Sequence, residues 1–148
     1  LNDKNLKKKA VDSLSTYKRE IINSLNWFHN NKDKMARADG YIIINAGTNI
    51  RDTMVGTLAS IISKSNLYKN GSVIISMAYT MDGQIKVSVR SVNNKEVNLK
   101  ELIESVVEKV GGICGGHKYA AGALISQNKE EDFIKTLQET LNNLSIHE

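Results

Sequence analysis

The sequence predicts a single α/β domain: a mixed sheet of about 4–5 strands flanked by helices, with an N-terminal lead-in helix. Three observations carry that expectation. Tyr41-Ile42-Ile43-Ile44 is apolar without alternation, which suits a strand covered on both sides. Residues 84–92 alternate: Ile85, Val87 and Val89 share one face, and Lys86, Ser88 and Arg90 the other. Segments with helical spacing are interleaved with these strands, in the order helix, strand, helix, hairpin, helix, strand, helix.

Residues 5–29 begin the series. Leu6, Ala10, Leu14, Tyr17, Ile21, Leu25 and Phe28 recur every three or four positions, as one face of a long amphipathic helix. Asn30 to Asp33 break the pattern, and Gly40 leads into the strand at 41–46. After the turn at Gly47-Thr48-Asn49, a second helix is expected to start near 49–53 with a polar N-cap. Its apolar face is Met54, Val55, Leu58, Ile61 and Ile62, and Asn66 to Gly71 end it. Residues 73–79 and 84–92 form a hairpin, with Asp82-Gly83 as a two-residue turn. Residues 99–110 are a helix stopped by Gly111. A small apolar strand at 119–125 follows. The last helix, 130–144, turns Phe133, Leu137, Leu141 and Leu144 inward and places three acids in its first turn.

The chain has 148 residues, 41% hydrophobic and 24% charged, which suits one packed domain. No apolar run reaches membrane-spanning length, and the Lys-rich start lacks the apolar stretch of a secretory signal. The single cysteine, Cys114, excludes an internal disulfide and a Cys-rich zinc site, so a reducing, cytoplasmic setting is expected. Charge is uneven: +5 over 1–37, +2 over 38–127 and −3 over 128–148. The basic end suits either an anionic partner or a solvated helix. A chain starting at Leu1 is expected to be a fragment, with 1–37 a basic helix or linker from a preceding domain and 38–148 the domain proper.

The most informative stretch is 111–122, with five glycines in twelve residues between a helix and a strand. Glycine permits unusual φ and close approach of a ligand to the main chain. Exposed N–H groups there suit a phosphate, and His117 and Lys118 add donors. On these residues alone, the favoured reading is a tight crossover with glycines for packing and a surface histidine. Arg90 is either a surface charge or, on a cleft-lining face, a fork that grips phosphate bidentately. Gly56 sits inside an expected helix at a cost of about 1 kcal/mol relative to Ala, which close backbone approach would explain. Tyr119 packs its ring or stacks on a base. Trp27 and Phe28 read as helix staples, and Cys114 as a small filler. Asp39 and Asp52 read as turn and cap residues.

Gly115-Gly116-His117-Lys118-Tyr119-Ala120-Ala121-Gly122 has the form Gly-Gly-His-x-x-Ala-Ala-Gly. It closely resembles the signature of the DHH-associated domain found C-terminally in RecJ-type phosphoesterases. Lys86 to Ser91 is similar to that family's strand, whose Ser-x-Arg leads to the glycine loop. Ile42 to Ile62, with Val55-Gly56-Thr57-Leu58-Ala59-Ser60, resembles the region before it. The likeness covers roughly residues 38–145.

The resemblance implies a domain that closes over a separate catalytic domain bearing an Asp-His-His motif and two manganese (or magnesium) ions. It implies phosphate contacts from His117, Arg90 and the backbone of Gly115 and Gly116, assisted by Ser88, with Lys118 beside them. This chain has no Asp-His-His, and His29, His117 and His147 lack a local acid at ligand spacing. It is expected to hold no catalytic residue, metal or cofactor of its own. The partners implied are single-stranded nucleic acid or a short oligonucleotide and a DHH catalytic domain of the same or another chain, with no membrane. The parent protein would be a single-strand exonuclease or phosphodiesterase. Two alternatives stay open: a non-catalytic domain binding replication proteins, and the substrate domain of a cyclic-dinucleotide or nano-RNA phosphodiesterase. An alanyl-tRNA synthetase relative shares a similar glycine loop, but nothing here suggests a tRNA-editing zinc site.

Overall fold

The structure is a computed structural model that describes residues 3–93 and 97–146. A long helix α1 (Asp3–Asn31) leads to strands β1 (Ala36–Ala38) and β2 (Tyr41–Asn45). Helix α2 (Val55–Ser63) crosses to β3 (Val73–Tyr79), which turns into β4 (Gln84–Ser91). Then come α3 (Leu99–Val110), β5 (Ile113–His117), β6 (Ala120–Ser126) and α4 (Glu130–Ile146). The sheet has six strands in the order β1-β2-β3-β4-β6-β5. β2 and β3 are parallel across the α2 crossover, and every other pair is antiparallel.

Both additions to the expected strand count have local causes. β1 is Ala-Arg-Ala, too short and too weak in β-branched residues to stand out. β5 lies within the stretch expected to be a glycine loop: Ile113-Cys114-Gly115-Gly116-His117 pairs along β6 and forms the sheet edge. Its pairing comes from the neighbouring strand, not from its own propensity. The β3–β4 hairpin also differs from the expected two-residue turn. Thr80 N–H bonds the Gln84 carbonyl at 2.9 Å, and of the three residues between, only Gly83 has positive φ, at 81°. That is a three-residue loop closed by a left-handed glycine.

Alternation along the strands sorts two cores. Tyr41, Ile43, Ile75, Met77, Ile85, Val87 and Val89 pack under α3 and α4 with Phe133, Leu137 and Leu141. Ile42, Ile44, Ile74 and Ala78 pack under α2 with Val55, Leu58, Ala59 and Ile62, and Phe28 of α1 joins them. Trp27 packs at the margin of this second cluster, as a staple should. The α2 stripe differs from expectation at Ile61, which is only half-buried, and the helix has no side-chain cap: Met54 occupies the N-cap after a 3-10 turn at 52–54. Leu144 is exposed rather than inward.

α1 is about 43 Å long at 1.5 Å per residue. Only Ser24 and Phe28 along it are buried. The periodicity marks the helix correctly, but the body covers its apolar face only near the C-terminal end, leaving Leu6, Leu14 and Tyr17 exposed. No described helix is long and apolar enough to cross a membrane.

Candidate phosphate-binding trough

The antiparallel register decides where the predicted residues stand. Arg90 on β4 pairs with Ala120 on β6, and Ala120 pairs with His117 on β5. Residues directly opposite in an antiparallel ladder project from the same face. Arg90 and His117 therefore share one face and one row, with only a methyl group between them. Two strand spacings put their backbones about 10 Å apart. The next row on the same face is Ser88, Gly122 and Gly115.

Helix α2 covers this face over β2, β3 and β4, then stops. Its inner stripe of Val55, Leu58, Ala59 and Ile62 is apolar, while Thr53, Gly56, Thr57 and Ser60 form a small, polar flank. Between that flank and β4 and β6 lies a hollow of about 600 Å³, with Lys86, Ser88, Arg90, Ala120 and Gly122 on the sheet side. His117 does not line it; the imidazole stands exposed at the outer rim, beyond Ala120. α1 reaches the opposite wall, where Tyr17 Oη lies 3.2 Å from Thr57 Oγ1.

Arg90 is half-buried, and that burial lowers its pKa from the ordinary value, although a guanidinium stays protonated at neutral pH. Its Nη1 donates to Ser88 Oγ at 3.2 Å and to the Val89 carbonyl at 3.0 Å. No described carboxylate forms a salt bridge with it. The cation is thus held in place, and no described carboxylate compensates its charge. At His117, Tyr119 N–H donates to Nδ1 at 3.2 Å. Nδ1 is then the acceptor, so the neutral ring carries its proton on Nε2 and offers it as a donor. Tyr119 is half exposed and meets the imidazole edge-on, with ring centroids 6.2 Å apart.

The glycines divide by what a Cβ would meet. At Gly116, φ is +113° and a Cβ would sit 2.4 Å from the Ala120 carbonyl oxygen. At Gly122 it would sit 2.8 Å from the Val87 carbonyl oxygen. Both glycines serve close strand pairing. Gly115 has neither constraint: nothing lies within 4 Å of a Cβ there. A Cβ on Gly56 would touch Ser88 Oγ at 3.7 Å and Arg90 Nη2 at 3.9 Å, ordinary contacts that fill space over the guanidinium. The expected main-chain loop at Gly115-Gly116 is therefore a paired strand, whose bareness leaves the face open rather than forming a nest of amides.

Lys118 lies in the two-residue turn between β5 and β6 with its side chain exposed, and its carbonyl accepts from Leu99 N–H at 2.8 Å. It does not line the trough. Asp39 is exposed and paired with Lys69, and Asp52 opens the 3-10 turn before α2. Cys114 is half-buried against the α3–α4 core. Among the described residues no three of His, Cys, Asp and Glu gather as a metal site. His147 lies outside the described residues. Lys86, Thr53 and Thr57 were missed as trough residues. Alternation with Ser88 and Arg90 marks Lys86, and the 53/56/57/60 spacing opposite the apolar stripe marks the others.

The family model for the DHHA1 domain matches residues 39–143. An uncharacterized protein of Methanocaldococcus jannaschii is 27% identical over 139 residues, which is 91% of this chain and 26% of that protein. The chain thus spans about a quarter of this curated relative's length. RecJ from Thermus thermophilus, in complex with Mg2+, superposes with a TM-score of 0.62 at 20% identity, over 84% of this chain and 18% of RecJ. The C-Ala domain of Aquifex aeolicus alanyl-tRNA synthetase gives 0.57 at 18% identity, over 72% of this chain and 96% of that domain. The pGpG-specific phosphodiesterase PggH of Vibrio cholerae gives 0.55 at 13% identity, over 97% of this chain and 52% of that enzyme. At these identities the structural likenesses speak for the fold. With the Gly-Gly-His-x-x-Ala-Ala-Gly stretch inside the matched span, the chain belongs to the DHHA1 domain family.

Proposed function

We propose that this chain is the substrate-holding domain of a RecJ-like phosphoesterase, binding the sugar-phosphate backbone of single-stranded nucleic acid or a short oligonucleotide. One observation carries the reading: an exposed imidazole and a half-buried guanidinium, which no described carboxylate pairs, stand in one row of an open sheet face. Arg90 takes phosphate oxygens with its planar fork. Its partial burial strengthens that attraction by keeping water away. His117 donates from Nε2 to a second position, and Ser88 holds the guanidinium in place. Gly56 and Gly115 leave room for the backbone itself. Lys86 and Lys118 add general positive potential.

The work done here is positioning and charge neutralisation. In our reading, bond cleavage belongs to a DHH catalytic domain, of the same or another polypeptide, which carries the manganese or magnesium ions. The single cysteine suits a cytoplasmic enzyme.

The test is fluorescence anisotropy with a labelled single-stranded oligonucleotide. His117→Ala and Arg90→Ala should each lower affinity about tenfold, as loss of a charge-assisted hydrogen bond does. Binding should fall with salt, with a log–log slope of about −0.7 per phosphate contacted. Unchanged affinity in both variants, or salt-independent binding, overturns the proposal.

A further inference from the structure

The sheet face continues past the trough, and its character changes by row. The Arg90–Ala120–His117 row carries the cation and the imidazole. The Ser88–Gly122–Gly115 row is almost bare. The third, Lys86–Leu124–Ile113, is apolar at its outer end. Successive same-face rows are about 7 Å apart along the strands. Ile113 is 67% exposed, and Met81, at the tip of the β3–β4 loop, is fully exposed. Both line a second open hollow of about 930 Å³ with Leu124, whose rim carries Asp52 and Gln84. Lys86, Val87 and Gly122 line both hollows, so the two adjoin on one face of the sheet.

We infer that Ile113, Leu124 and Met81 form a nucleoside shelf, seating a base of a strand that lies further along the face from the phosphate on the Arg90–His117 row. The inference rests on the phosphate-binding reading. A single strand running down these rows brings the matching chemistry: anions, sugars needing close approach, and flat apolar rings with polar edges. The bare glycine row admits the sugar. Ile113 and Leu124 give the ring an aliphatic floor, and Met81 supplies a polarizable thioether that suits an aromatic face. Asp52 and Gln84 face the hollow with an acceptor and an amide able to meet a base edge. An unpartnered apolar patch beside a cationic row is otherwise uncommon on a monomer's surface.

The experiment compares a single-stranded oligonucleotide with an abasic strand of equal length and charge. Wild-type protein should bind the base-bearing strand about tenfold more tightly. Ile113→Ser and Met81→Ala should erase that preference while leaving abasic-strand affinity unchanged. His117→Ala should weaken both ligands equally. Equal wild-type affinity for the two strands, with salt dependence intact, overturns the shelf and spares the phosphate site. No binding of either strand overturns both. A dimer that Ile113→Ser dissolves, with no base preference, would assign the patch to a second copy and overturn the shelf.

Discussion

The two faces of the sheet are covered to different extents. On one, α3 and α4 seal the strands, and Ile85, Val87, Val89, Ala121, Ala123 and Ile125 are all buried. On the other, α2 seals β2 to β4 and ends, leaving Gly122, Leu124, Gly115 and Ile113 of β6 and β5 partly or fully open. The same strands thus carry a core on one side and an open, hollowed face on the other, separated by single-residue alternation. What distinguishes the sides is where a helix layer stops, not how the strands are built.

The sharpest way to separate the faces is to damage the sealed one. Phe133→Ala empties a fully buried position and should cost about 3–5 kcal/mol in denaturant unfolding. Oligonucleotide affinity per folded molecule should be unchanged; a parallel loss of affinity would show that the faces are not independent. The next largest contrast lies within β5. Gly116→Ala forces a Cβ against the Ala120 carbonyl at positive φ and should cost about 3 kcal/mol. Gly115→Ala, one residue away, projects into open space and should leave the unfolding midpoint almost unmoved while lowering oligonucleotide affinity. The smallest expected effect has opposite signs in its two readouts. Gly56→Ala should raise stability by up to about 1 kcal/mol through helix propensity, since its new contacts are ordinary ones. It should also weaken binding by crowding the space above Arg90.

The same asymmetry explains what could be read in advance. The helices follow from their three-and-four spacing, the strand at 84–91 from its alternation, and the strand at 41–45 from a continuous apolar run buried on both sides. β5 did not, since Gly115 and Gly116 contribute no side-chain signal and their pairing depends on β6. The exposure of Leu6 and Leu14 was equally illegible: periodicity shows that a face exists, not that the body reaches it. At the site, alternation put Ser88 and Arg90 together, and a costly glycine flagged position 56. The convergence of Arg90 with His117 required the order of β4, β6 and β5, which only tertiary pairing sets.

The Arg90–Ala120–His117 register has one more consequence. Two hydrogen-bonded ladders hold the gap between the jaws, so it behaves as a caliper rather than a pair of loose arms. If the proposed phosphate role holds, an anion too short to bridge Arg90 and His117 would engage one of them at a time, and lone phosphate ions should compete poorly against an oligonucleotide that spans the full width in the anisotropy assay.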